Sequence, residues 1–191
     1  MLIELTGTLP LLVHSEQLAD DHNPIKKQIK LLTDKKTNKT DDDKDLIDKL
    51  SFVGALYYDD VLGPYLPAKN LFKSLMEAGA MTREGKKIER GLFILTTQAA
   101  LEYDGPRDPE ALWGVNGETK FVDRRTVVVT GKRISRVRPI FPTWSCTFEA
   151  ETDPDILDDE SFDRILTKAG RYAHVGTFRR FYGAFTATVA R

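Results

Sequence analysis

Two periods organise the apolar positions of this chain. Where apolar and polar residues alternate, a strand is expected. Leu2–Val13, rich in Leu, Ile, Thr and Val, reads as a strand with a break near Pro10. Trp144–Glu151 sets Trp144, Cys146, Phe148 and Ala150 on one face and Ser145, Thr147, Glu149 and Glu151 on the other. Phe181–Val189 turns Gly183, Phe185, Ala187 and Val189 one way, as a last strand. The apolar runs Ser51–Asp60 and Gly91–Glu102 read as an extended segment and a buried strand, and Thr126–Arg138 reads as a hairpin about Thr130-Gly131. The helical period appears twice. Ala68–Gly79 carries the stripe Leu71, Phe72, Leu75 and Met76, with Gly79 as its stop. Asp158–Gly170 carries Phe162, Ile165, Leu166 and Ala169 at i, i+3, i+4 and i+7, and the acids of its first turn suit the positive end of the helix dipole.

Between these elements lie polar stretches. Asp34–Asp45 (DKKTNKTDDDKD) has nothing to offer a core and is expected as a mobile loop within an insertion over about residues 14–50. Arg83–Arg90 reads as a basic turn. Tyr103–Asn116, with two prolines and two glycines, reads as a loop that joins the hairpin in an arm over about residues 103–140. Setting these aside leaves strand, helix, strand, repeated once. That order predicts an α+β fold: a ferredoxin-like, RRM-like antiparallel sheet with two helices on one face, in one domain over residues 1–191 with a long insertion and a β-hairpin arm. The sheet face opposite the helices is then open, and RNA-binding domains of this shape use it.

Composition narrows the function classes. The 191 residues include 28 Lys+Arg and 29 Asp+Glu, a net charge of −1, in a chain long enough to bury a core. No apolar run approaches the roughly 18–20 residues of a membrane span, and the N-terminus lacks the basic region and cleavage site of a signal peptide. The expectation is a cytoplasmic protein without a membrane partner. One cysteine and three scattered histidines argue against a disulfide framework and a Cys/His zinc site. Walker-type and G-x-G-x-x-G motifs are absent, so neither metal nor cofactor is expected.

The distribution of charge says more than its sum. From Lys120 to Arg138 seven bases face one acid, Asp123; from Glu151 to Asp163 there are seven acids and no base; Arg164–Tyr182 carries five bases and no acid. Such segregation fits the electrostatic footprint of a polyanion partner, and it also fits a set of solvated strand and helix faces. The hairpin cations Arg124, Arg125, Lys132, Arg133, Arg136 and Arg138 alternate with apolar residues and suit a phosphate backbone; the same charges also fit an edge strand protected from aggregation. Lys69 and Lys73 open the helix after Pro67, where backbone N–H groups favour phosphate. In Gly176-Thr-Phe-Arg-Arg-Phe-Tyr-Gly183, Gly176 permits a sharp turn with N–H groups offered to an anion. There Arg179 and Arg180 point to opposite sides, one toward phosphate and the other toward the acidic segment, while Phe178 and Tyr182 supply stacking surfaces. The alternative for this loop is salt-bridged arginines and core aromatics. Catalytic arrangements find little support: Asp41-Asp42-Asp43 and Asp59-Asp60 lie in a polar run and before a turn, whereas metal-assisted chemistry needs carboxylates fixed on rigid elements.

Three segments together resemble a family. Ile3-Glu-Leu-Thr-Gly-Thr-Leu-Pro-Leu-Leu-Val, the helix entry Gly63-Pro-Tyr-Leu-Pro-Ala-Lys-Asn-Leu-Phe-Lys-Ser-Leu and Gly170-Arg-Tyr-Ala-His-Val-Gly-Thr-Phe-Arg-Arg-Phe-Tyr-Gly-Ala-Phe are similar in order and spacing to the RAMP superfamily, which includes backbone subunits of CRISPR effector complexes. The chain's length and its ending look like small members of that class from bacteriophage genomes, which would act in a bacterial host cell. The likeness covers about a third of the chain. Ala68-Lys69-Asn70 stands where the family prefers Gly-Ser-Ser, and Gly176 alone stands where it often has two or three glycines, which bears on close backbone contact with phosphate. The resemblance implies a non-catalytic, sequence-independent RNA or single-stranded DNA binder that forms a homo-oligomer or a CRISPR-like assembly. Two other readings stand beside it: a protein-interaction module that enters such an assembly without binding nucleic acid itself, and a metal-dependent ribonuclease.

Overall fold

The computed structural model describes residues 1–35, 39–129 and 131–191, without the side chains of 128, 129, 132 and 134. In chain order the elements are β1 (Leu2–Gly7), β2 (Leu11–Leu12), α1 (Pro24–Thr33), α2 (Asp41–Ala55), β3 (Tyr58–Asp59), β4 (Gly63–Pro67), α3 (Ala68–Met81), α4 (Gly85–Gly91), β5 (Leu92–Ile94), β6 (Gln98–Glu102), α5 (Pro109–Trp113), β7 (Val122–Val129), β8 (Lys132–Phe141), β9 (Ser145–Thr152), α6 (Asp159–Lys168) and β10 (Phe185–Ala190). A short 3-10 helix spans Glu16–Ala19, and α6 runs into a π-helical turn at Ala169–Ala173. Among the described residues no helix is long and apolar enough to cross a membrane. Two compact units divide the chain. Met1–Leu12, Tyr58–Asp104 and Pro142–Arg191 make the first, and Val13–Tyr57 with Gly105–Phe141 make the second.

The first unit is a mixed α+β body on an antiparallel sheet in the order β10-β1-β9-β6-β4-β3, with β5 also paired to β9. Alternation builds it as expected: Ile3 and Leu5 of β1 and Cys146, Phe148 and Ala150 of β9 are buried. Leu5, Phe148 and Phe185 converge with Leu71, Ser74 and Leu75 of α3 and Leu166 of α6, so both helices lie on the same sheet face. The α6 stripe is buried at Phe162, Ile165, Leu166 and Ala169, and Asp158 caps the helix by accepting from the Ser161 N–H at 2.8 Å. Gly7 makes room for the Trp144 indole: a Cβ there would stand 2.2 Å from Nε1, which donates to the Leu9 carbonyl at 3.0 Å.

Local expectations change at several points. Arg83–Arg90 is not a turn; Gly85–Gly91 is α4, anchored by buried Ile88, and Gly79 does not stop α3 but lets it approach Ile88. Gly91–Glu102 is two strands, and the last strand begins at Phe185, four residues later than the sequence pattern places it.

The second unit contains most of the segments read as insertion and arm. Asp41–Asp45 is helical, the first turn of α2, because Thr40 and Asp43 form a capping box. Ser51–Ala55, expected extended, ends the same helix and buries Phe52. Phe52 packs on Trp113 of α5 with ring centroids 5.3 Å apart, and Phe121 on Phe141 at 6.1 Å. The hairpin β7–β8 is longer than the expected one and pairs Val122 with Pro139 through Val129 with Lys132. Of its turn, Thr130 lies outside the described residues, and Gly131 has φ +78°.

Candidate nucleic-acid interface

The hairpin register sorts the cations of the second unit. Directly paired residues share a face, so Asp123↔Arg138 and Arg125↔Arg136 lie on one side, whereas Arg124↔Val137 and Val128↔Arg133 lie on the other. The hairpin cations therefore divide between its two faces. Arg133 is exposed on the second face, and Arg124 is engaged there: it meets the Asp48 carboxylate of α2, donates to the Asn116 carbonyl at 3.0 Å and stacks over Trp113 at 5.2 Å. These contacts hold α2 and α5 to β7. The side chain of Lys132 lies outside the described residues.

On the first face three guanidinium groups gather with one carboxylate. Arg125 grips Asp123 with two parallel hydrogen bonds. Arg138 is half-buried, and its guanidinium is held below its ordinary pKa first by burial, then by the charges of Arg136 and Arg125, with Asp123 offsetting them. Arg136 is exposed and makes no ion pair among the described residues. His14 joins this group, because the Val13 N–H donates to the Pro139 carbonyl at 3.1 Å and brings the segment beside β8. Partial burial first, then Arg138 and Arg136, push the His14 imidazole below its ordinary value. Burial leads both shifts, and the neighbouring guanidinium charges add to each, a local excess of positive charge that favours an anion. His14 carries no signal in the sequence, since only the β8 pairing brings it near.

The first unit carries two further groups. Lys69 and Lys73 are exposed at i and i+4 on α3, and the same row continues to Glu77. Arg179 donates to the Glu77 carboxylate at 2.8 Å, so its partner is on α3, not in the acidic segment at Glu151–Asp163. Asp159 and Asp163 of that segment instead hold Arg191. Arg180 is exposed, Phe178 and Phe181 are 42% and 67% exposed, and Tyr182 is half-buried.

Gly176 serves packing. With φ +79°, its Cβ position lies 2.4 Å from the Leu12 carbonyl, which accepts from the Thr177 N–H at 2.8 Å. The loop's other N–H groups at Val175, Phe181, Tyr182 and Gly183 are also bonded internally. His174 is buried and sits at the end of the π-helical turn, its Nε2 3.0 Å from the Arg171 carbonyl. The acidic runs cap local structure: Asp43 closes the α2 box, and Asp59 accepts from the Val61 and Leu62 N–H groups. Among the described residues no three His, Cys, Asp or Glu side chains form a metal-binding group.

Compared with protein-family models and with curated proteins, the chain matches none.

Proposed function

We propose that this protein is a non-catalytic, largely sequence-independent binder of RNA or single-stranded DNA, built on a ferredoxin-like core of the RAMP type. The order β10-β1-β9-β6 with α3 and α6 on one face supports that reading of the fold. The carrying observation is the face of the hairpin where, among the described residues, Arg125, Arg136 and Arg138 gather about one acid, Asp123, with His14 beside them, its pKa lowered first by burial and then by Arg138 and Arg136. A cluster with more cations than anions, one of them an exposed guanidinium, lowers its own repulsion by taking up phosphate. Within the first unit, the exposed Phe178 and Phe181 rings near Arg180 in the chain are a separate surface on which unpaired bases can stack.

The test is anisotropy of a labelled single-stranded oligonucleotide between about 50 and 200 mM salt. Binding is expected to weaken steeply across that range. Arg136→Glu should cost at least about tenfold in affinity and lower the salt slope by about one or more, with the fold retained by circular dichroism. A wild-type protein that shifts no strand at low salt would overturn the reading and favour the protein-interaction module.

A further inference from the structure

We propose that the outer edge of β10 is a self-association surface that receives β10 of a second copy in antiparallel register. β10 ends the sheet, and β1 covers one side of it. The pairing runs Leu2↔Ala190 to Gly7↔Phe185 and continues with the Thr8 N–H donating to the Ala184 carbonyl at 2.8 Å. Antiparallel alternation then turns the backbone groups of Ala184, Thr186, Thr188 and Ala190 toward β1 and those of Phe185, Ala187 and Val189 outward. The Phe185 carbonyl is covered by the π-helical turn, where a Cβ on Gly170 would stand 2.0 Å from it. Ala187 and Val189 remain, and among the described residues nothing bonds their outward N–H and C=O groups. An edge of this kind is a template for another strand.

Space and charge fit the same occupant. A cleft of about 610 Å³ lined by Leu9, Thr167, Arg171, Phe185 and Ala187 opens at one end of the edge. A second of about 370 Å³, lined by Asp163, Thr167, Ala187, Val189 and Arg191, opens at the other. The wall along both is a row at spacing four: Asp159, Asp163, Thr167, Arg171. Its first end holds two carboxylates against the one guanidinium of Arg191, at 2.9 and 2.6 Å; its other end is the exposed Arg171, in contact with the Tyr172 ring. The row is negative at one end and positive at the other. A two-fold axis through Thr188 sets Ala187 against the second copy's Val189 and brings the Arg171 end of each row to the acidic end of the other. The surface is self-complementary, which a closed dimer requires.

The experiment is light scattering on the full chain without nucleic acid, so that failure of strand binding leaves it untouched. A dimer is expected at tens of micromolar. Ala187→Pro removes two of the four new N–H donors without touching the β1 ladder and should weaken the dimer about thirtyfold. Arg171→Glu, which opposes carboxylates, should weaken it as well. Thr188→Cys places two thiols across the axis at a Cα separation of about 4.5 Å and should give a covalent dimer on mild oxidation, with Thr186→Cys as the control that does not. Cys146 is buried and does not compete. If Ala187→Pro fails to fold, the cysteine pair still decides. A wild-type monomer, or a dimer that Thr188→Cys does not cross-link, would overturn the assignment.

Discussion

The loop at Val175–Gly183 and the hairpin β7–β8 carry the same signal in sequence, adjacent arginines with acids scarce nearby, and the structure uses them differently. In the loop, Arg179 is spent on Glu77, Gly176 fits against Leu12, and the N–H groups of Val175, Thr177, Phe181, Tyr182 and Gly183 are bonded to backbone carbonyls. In the hairpin, Arg125 and Asp123 neutralise each other while Arg136 and Arg138 remain close enough to disturb His14. Local charge density in a sequence is therefore not charge available to a partner. The difference lies in whether an acid distant in sequence arrives, as Glu77 does 102 residues before Arg179.

The largest expected effect tests the packing side of that contrast with two glycines of similar conformation. Gly183 has φ +73°, and a Cβ on it would stand 1.9 Å from the Val175 carbonyl; Gly131 has φ +78° with nothing within 4 Å. Gly183→Ala should cost about 3 kcal/mol or more, because backbone must move. Gly131→Ala should cost about 1 kcal/mol, the strain of a left-handed residue alone. Chemical denaturation measures both. Equal losses would mean that the loop is no more tightly built than the hairpin turn.

A smaller effect separates the arginines by readout. Arg179→Ala should lower stability by about 0.5–1 kcal/mol, since its pair with Glu77 is partly shielded, and should leave oligonucleotide affinity nearly unchanged. Arg136→Ala should leave stability within about 0.5 kcal/mol and weaken binding several-fold. If Arg179→Ala is the one that loses affinity, the ion pair opens to meet phosphate and the contrast between the two regions fails.

What was legible in the sequence follows the same division. Elements fixed by their own period could be read: the α6 stripe, the β9 alternation and Ala68 as the start of α3. The helix α2 was missed because its first turn is a run of acids, although Thr40 and Asp43 carry the spacing of a capping box, a readable start signal. Its apolar end, SFVGA, is too short for periodicity to distinguish helix from strand. The division of the hairpin cations was implicit in parity, since Arg133 is out of step with Arg136 and Arg138. The partners Asp48 of Arg124 and Glu77 of Arg179 were not legible, because tertiary folding alone brings them near.

The smallest effect is the sharpest probe of the hairpin face, because the charges of Arg138 and Arg136 add to burial in setting the His14 titration. Its folded-state pKa lies below the ordinary 6.5, by partial burial first and then by Arg138 and Arg136. The folded protein therefore favours the neutral ring, and the stability this contributes is present above about pH 6.5 and is lost as pH falls through the depressed value. A phosphate seated among Arg136 and Arg138 cancels part of the field, so His14 takes up a proton when the strand binds. Affinity should then rise a few-fold as the solution is acidified below about pH 6.5, at constant salt. His14→Asn should flatten that pH dependence while leaving the salt dependence in place, and the His14 ring resonance should titrate at higher pH with oligonucleotide than without. An affinity that rises on acidification just as steeply in His14→Asn would place the responding group elsewhere, and a His14 titration unmoved by the strand would mean that phosphate does not visit this face.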